Sequence, residues 1–153
     1  MVRLLASAAM LILLSAVGSG AAMADGNCST VLTRQALRSL LSSTGPVCVC
    51  GAPGATRPNV EWNETHVGGA SGIIYEKGMV TSGRGDEIGT YKADGNSDTS
   101  DGILHYDYAG GSSFDWTVDA SPSGSTYQFC SADPAHAPAF KVNIRAGVCS
   151  SDC

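Results

Sequence analysis

The stretch from residue 86 to residue 130 places apolar side chains at every second position in four short runs, separated by polar, glycine-rich turns. Because successive side chains of a β-strand point to opposite faces, this period of two predicts strands with one buried face. Four such runs in order predict antiparallel strands joined by hairpins, at about 87–92, 102–108, 113–119 and 125–131. The fold is therefore expected to be mainly β. The apolar positions are Ile88, Leu104, Tyr106, Phe114, Trp116, Val118, Tyr127 and Phe129.

Further strands are predicted on both sides of this stretch. They lie at about 46–50, 60–67, 72–77 and 140–146, and in the last of them Phe140, Val142 and Ile144 alternate with polar residues. Seven or eight strands at this spacing predict an antiparallel meander that closes into a small barrel or packs as a sandwich. The pattern favours neither of the two.

One helix is predicted before the strands, at about residues 30–43. Ser29 or Thr30 can cap its start, and Gly45 and Pro46 are typical of its end. Leucines at helical spacing form one apolar face, which we expect to cover one face or one end of the sheet. The alternative is that the leucine face binds a partner.

The first 24 residues are typical of a cleaved secretion signal. Arg3 precedes an apolar run from residue 4 to residue 17, and Ala22 and Ala24 form a small-x-small cleavage site. The apolar run is too short to span a bilayer comfortably. We expect residues 25–153 to form a single disulfide-stabilised β domain that is periplasmic or secreted.

The charge balance bears on possible partners. Removal of Arg3 with the signal leaves 8 basic against 14 acidic residues, a net charge of −6. An acidic surface without a basic cluster argues against binding to nucleic acid or to anionic membranes. Since no later segment is apolar enough to cross a bilayer, we expect no membrane insertion after signal cleavage.

An even number of cysteines in an exported chain predicts disulfide bonds, and six cysteines allow 15 pairings. The rival interpretation is zinc, but Cys48 and Cys50 lack the spacing of zinc knuckles. We expect Cys130 to pair with Cys48 or Cys50, and Cys28 to pair toward the C-terminal cysteines. All six lie beyond the signal: Cys28, Cys48, Cys50, Cys130, Cys149 and Cys153.

Several segments together resemble a group of small secreted proteobacterial proteins. They are the dipeptide Val47-Cys48, WNETHVGGASGIIYEKG at 62–78, IGTY at 88–91, LHYDYAGGSSFDWTV at 104–118 and YQFC at 127–130. The group has no assigned function, so the resemblance implies export and β architecture only. The chain departs from the group at residues 74–76, where Trp-Asp-Tyr is expected, and in its cysteine-bearing C-terminus.

Glu64 and His66 are the candidate catalytic residues. They lie two positions apart, on one face of a predicted strand, with Trp62 beside them. A carboxylate next to an imidazole is typical of general acid–base pairs. Because no Gly-x-Ser-x-Gly motif or other marked nucleophile accompanies them, the alternative is a polar patch or a hydrogen-bonded core histidine.

The aromatic residues suggest a second kind of site. Tyr106, Tyr108, Trp116 and Tyr127 are more than a small core needs, so some of them are expected near the surface. The candidate binding residues are Trp62, Tyr106, Tyr108 and Trp116. A barrel mouth lined by such residues can bind a sugar or a small hydrophobic ligand. The alternative is that they form cross-strand packing pairs.

A polar loop at residues 94–101 resembles a calcium loop in part. Asp94, Asn96 and Asp98 place oxygen atoms at alternate positions. The glycine at the sixth position and the glutamate at the twelfth are missing, and a hairpin loop has the same composition. We expect neither a metal nor a cofactor.

These features predict an exported binding module rather than an enzyme. Its expected partner is another protein, as for small inhibitors of hydrolases. The alternatives are a small-ligand or sugar-binding barrel, a hydrolase that uses Glu64 and His66, and a structural protein of the cell envelope.

Overall fold

The computed structural model describes residues 28–42, 45–51, 63–76, 85–122, 124–131 and 139–149, with one helix and eight strands in these ranges. The helix is α1, Arg34–Leu41. The strands are β1 Val47–Gly51, β2 Asn63–Val67, β3 Ser71–Glu76, β4 Glu87–Asp94, β5 Ile103–Tyr108, β6 Ser113–Asp119, β7 Thr126–Ser131 and β8 Phe140–Ala146.

The eight strands form a closed antiparallel barrel in chain order. Each strand pairs with the next, and β8 pairs with β1 through contacts such as Val49 opposite Ile144. Closure leaves no unpaired strand edge, which protects an aromatic-rich sheet from edge-to-edge association. The prediction of a mainly β meander with one helix is confirmed, and the fold is a barrel rather than a sandwich.

The helix begins later than predicted, at Arg34 rather than near residue 30. Thr33 caps it, because its hydroxyl accepts a 3.2 Å hydrogen bond from the Ala36 N–H. The residues before it are bound to the barrel instead: Val31 bridges to Asp119, and Thr33 bridges to Asp101. Backbone pairing with the sheet therefore competes successfully with helix formation at these positions.

Helix α1 covers one end of the barrel. Leu37 and Leu41 are completely buried and belong to the main core cluster. Arg34 fixes the helix to the β4–β5 connection through a 2.8 Å ion pair with Asp98 and a hydrogen bond to the Gly95 carbonyl. The opposite end of the barrel is formed by the end of β1, the start of β2 and the β5–β6 turn.

The disulfide bonds join Cys28 to Cys130 and Cys48 to Cys149, so the expected pairings of Cys130 with β1 and of Cys28 with the C-terminal cysteines are wrong. For Cys130 the reason is the strand order, which places β8 between β7 and β1. Two strand spacings are about 9.6 Å, beyond the reach of roughly 7 Å between disulfide-bonded Cα atoms. Cys50 is also disulfide-bonded.

Cys149 lies on the outer wall of β1 and β2. Beside the Cys48–Cys149 bond, the Cys149 N–H donates a 3.1 Å hydrogen bond to the Thr65 hydroxyl. This covering explains why four consecutive residues are buried in β1 and again in β2, whereas a solvated strand buries only alternate residues.

Within the described residues, no helix has the length and apolar character needed to cross a membrane. The expected signal at residues 1–24 lies outside the described part of the chain.

Candidate functional site

Glu64 and His66 project from β2 into the barrel interior. Glu64 lies opposite Val49 of β1 and Glu76 of β3, and His66 lies opposite Val47 and Ile74. Residues directly opposite in a sheet share one face, so the apolar partners Val47 and Ile74 place the His66 side chain in the core. The side chain of His66 is 0% exposed and that of Glu64 is 8% exposed.

Three tyrosines face these two residues from β4 and β5. Tyr91 and Tyr106 lie opposite each other in the sheet, and Tyr108 follows two positions later on the same face. The Tyr108 hydroxyl donates a 2.7 Å hydrogen bond to Glu64 Oε1, and the Tyr91 hydroxyl donates a 2.8 Å hydrogen bond to the Gly69 carbonyl. We call this set the polar cluster; its members are Glu64, His66, Tyr91, Tyr106 and Tyr108.

The His66 ring is held by aromatic contacts. It stacks on Tyr91 with 4.4 Å between ring centroids, and it meets Tyr106 edge-on at 5.3 Å. Its Nε2 atom is 3.6 Å from Glu64 Oε2, which is longer than a hydrogen bond. The imidazole is therefore fixed in position beside the carboxylate without being bonded to it.

Four buried polar atoms of the cluster have no hydrogen-bond partner within the described part of the chain. They are Glu64 Oε2, His66 Nδ1, His66 Nε2 and the Tyr106 hydroxyl oxygen. Since a buried polar atom without a partner costs about 1–3 kcal/mol, such atoms are rare in folded proteins. Four of them in contacting side chains mark this region as the candidate site.

Burial keeps the tyrosine hydroxyls protonated. It raises the pKa of Tyr91 to about 12 and raises the pKa of Tyr106 well above its usual value. Burial and the nearby Glu64 charge together raise the pKa of Tyr108. All three phenols are thus neutral at physiological pH and remain able to donate a hydrogen bond.

The cluster becomes more exposed toward the end of the barrel opposite α1. His66 is fully buried, Glu64 is nearly so, and Tyr108, the last residue of β5, is half-buried.

The sequence-predicted aromatic residues have different locations. Tyr106 and Tyr108 belong to the polar cluster, whereas Trp116 is buried in a packing contact with Phe140, edge-on at 5.0 Å. Tyr106 and Trp116 are buried, whereas Tyr108 and Tyr127 are half-buried, so a binding role for these rings stays a prediction. Trp62 lies outside the described residues.

Comparison of the chain with protein-family models, curated proteins and solved structures finds no match.

The proposed calcium loop holds its acidic residues in other contacts. Asp98 pairs with Arg34, and Asp94 pairs with Lys92 and accepts a hydrogen bond from the Gly95 N–H. The Lys92 contact holds the pKa of Asp94 below its usual value. No group of three His, Cys, Asp or Glu side chains able to hold a metal occurs in the described ranges. Calcium binding by Asp94, Asn96 and Asp98 stays the untested alternative to the expectation of no metal.

Sequence reasoning missed Tyr91. The residue lies on β4, where Gly89 and Ala93 occupy the neighbouring inward positions and supply little apolar signal. The period of two through residues 89, 91 and 93 is the sequence pattern that could have placed Tyr91 on the inner face of β4.

Proposed function

We propose that the protein binds a small ligand whose polar groups reach the polar cluster inside the barrel. The observation that carries the proposal is the set of four buried atoms without a hydrogen-bond partner among the described residues, on Glu64, His66 and Tyr106. A ligand that donates to the carboxylate and exchanges hydrogen bonds with the imidazole and the phenol would satisfy them. Of the functions considered from the sequence, this is the small-ligand alternative.

The energetic cost of the cluster supports a role beyond folding. Leaving the four atoms without partners costs about 1–3 kcal/mol each, and small domains are stable by only about 5–15 kcal/mol. Apolar side chains of similar size at these positions would avoid that cost. Retention of the polar groups is readily explained if they bind a molecule that is not part of the chain.

The architecture supports the same proposal. An eight-stranded barrel has an interior that is either filled by side chains or just wide enough for one small ligand. Here α1 closes one end, and Glu64 and Tyr108 of the cluster lie toward the other end. The interior wall is rich in aromatic rings, which are typical of small-molecule sites that contain a few well-placed polar groups.

We also propose that the protein acts outside the cytoplasm. Disulfide bonds such as Cys28–Cys130 and Cys48–Cys149 persist in oxidising compartments and are rare in reducing ones. A binding barrel with this cross-linking is suited to the periplasm or the extracellular space. Protein binding, hydrolysis by Glu64 and His66 and an envelope role remain predictions from the sequence.

A ligand screen monitored by thermal unfolding tests the proposal. Small molecules that bind only the folded state, at about 100 times their Kd, stabilise it by about 2.7 kcal/mol and raise Tm. We expect ligands found in this way to lose their effect in Tyr106→Phe and Glu64→Gln variants.

The matched controls are Tyr75→Phe and Glu87→Gln, which make the same chemical changes outside the interior. Tyr75 and Glu87 lie opposite each other in β3 and β4, on the outer face. Stabilisation that survives both cluster substitutions would contradict the proposal, as would an interior occupied only by water.

A further inference from the structure

We infer that the ligand carries a protonated amine, whose N–H group donates to Glu64 Oε2. This inference rests on the proposed function and names the chemical class of its ligand. Glu64 Oε1 already accepts the Tyr108 hydroxyl, and Oε2 is buried with no hydrogen-bond partner among the described residues. A buried carboxylate oxygen gains most from a charged donor, because charge-assisted hydrogen bonds are roughly twice as strong as neutral ones.

The described part of the chain places no lysine or arginine against this carboxylate. Lys92, Lys141 and Arg145 lie opposite His105, Gln128 and Cys48, on the outer wall, and all three are exposed. The remaining two, on α1, are the paired Arg34 and the exposed Arg38. A charged group removed from water is stable when it is paired, and a ligand ammonium would supply a partner that the described residues do not.

A second carboxylate lies at the same end of the barrel. Glu76 of β3 is directly opposite Glu64 in the sheet and is exposed. Like charges at directly opposed positions destabilise a sheet, and a bound cation relieves that repulsion. The two glutamates therefore make the end of the barrel opposite α1 attractive to cations, and the net charge of −6 beyond residue 24 acts in the same direction.

The aromatic side chains beside Glu64 suit an organic ammonium better than a hydrated metal ion. The Tyr106 and Tyr108 rings are stacked in parallel with 5.9 Å between centroids, and Tyr108 contacts the carboxylate through its hydroxyl. Aromatic faces attract a cation and also bury the carbon atoms attached to it.

His66 and Tyr106 recognise a second polar group of the ligand. His66 offers both ring nitrogens, and the neutral Tyr106 hydroxyl can donate or accept a hydrogen bond.

Three probes of matched shape test the inference: benzylammonium, benzyl alcohol and benzoate. Their Kd values for the disulfide-bonded chain are measured at neutral pH by ligand-observed NMR. We expect benzylammonium to bind at least about tenfold more tightly than the other two, the ratio typical of a hydrogen bond to a charged group. Glu64→Gln should remove at least about tenfold of the benzylammonium affinity and leave benzyl alcohol nearly unchanged, whereas Glu87→Gln should alter neither.

The outcomes separate the inference from the proposed function. If benzyl alcohol or benzoate binds as tightly as benzylammonium, and Tyr106→Phe weakens that binding, the amine inference is overturned and the interior site is supported. No binding by any probe, or binding unaffected by both Tyr106→Phe and Glu64→Gln, would overturn both. If Glu64→Gln does not fold, the order of the three Kd values on the unsubstituted chain decides whether the ligand is an amine.

Discussion

The Tyr108 hydroxyl donates a 2.7 Å hydrogen bond to Glu64 Oε1 across the barrel interior. Tyr108 is on β5 and Glu64 is on β2, and these two strands are not neighbours in the sheet. The bond joins β5 to β2 and binds one oxygen of the carboxylate, while the other oxygen is left without a hydrogen-bond partner in the described structure. The polar cluster is thus both a link between distant strands and a place where polar groups of the barrel remain unsatisfied.

Tyr108→Phe should destabilise the barrel by about 1.5–3 kcal/mol, because it removes a hydrogen bond to a charged group and leaves Glu64 Oε1 without its donor. The free energy of unfolding is measured by urea denaturation. In a Glu64→Ala background the same substitution should cost at least about 1 kcal/mol less, since the acceptor is already gone. Equal costs in both backgrounds would show that the two side chains are not coupled.

Alkaline pH should destabilise the protein through its buried tyrosines. A tyrosine in the unfolded chain loses its proton near the ordinary pKa of 10.0, whereas Tyr91 in the barrel does so at about 12. The stabilisation is therefore complete below pH 10 and is lost as pH rises through about 12. Near-ultraviolet absorbance should show some of the five tyrosines ionising late, and Tyr91→Phe should flatten the decline in stability. Ionisation of all five near pH 10 would contradict the buried cluster.

The two disulfide bonds with described partners should stabilise the fold by similar amounts. They close loops of nearly equal length, with sequence separations of 102 for Cys28–Cys130 and 101 for Cys48–Cys149. Replacing both cysteines of either pair by serine should cost about 2–5 kcal/mol, measured by denaturant unfolding of the oxidised protein. A negligible loss of stability on replacing the Cys48–Cys149 pair would mean that residue 149 stays on the outer wall without the disulfide bond.

Gly72→Ala should destabilise the β2–β3 hairpin. A Cβ atom at residue 72 would meet the backbone carbonyl of Val67, which has no flexible end to move aside. The expected cost is about 1–3 kcal/mol or more, as for other overpacking changes. Gly110→Ala is the matched control, since nothing lies within 4 Å of its added Cβ. Equal stability of the two variants would contradict the close approach at residue 72.

The alternation of apolar and polar side chains was sufficient to predict the strands but not the closure of the sheet into a barrel. The last strand was placed at its observed bounds, with Val142 and Ile144 inward, because its alternation is unambiguous. Pairing of β1 with β8 joins two strands that are far apart in the sequence, and alternation within single strands carries no information about such a contact. The pairings of Cys48 and Cys130 depend on the same closure and were predicted wrongly for that reason.

The site could be predicted only in part, because β2 has no apolar face to orient it. Glu64, Thr65 and His66 are all polar, so alternation showed that Glu64 and His66 share a face but not which face is interior. The outer wall at Thr65 is covered by Cys149, a contact between residues 84 positions apart. The tyrosines that complete the cluster come from β4 and β5, and their meeting with His66 follows from the barrel rather than from any local motif.

The most direct test of an interior ligand site is a crystal structure of the chain grown with benzylammonium. The account predicts electron density for the probe inside the barrel, with its nitrogen within hydrogen-bond distance of Glu64 Oε2 and its ring against Tyr106 and Tyr108. A structure in which the four polar atoms of the cluster bind only water or other protein groups, with the probe absent or on the outer wall, would contradict it.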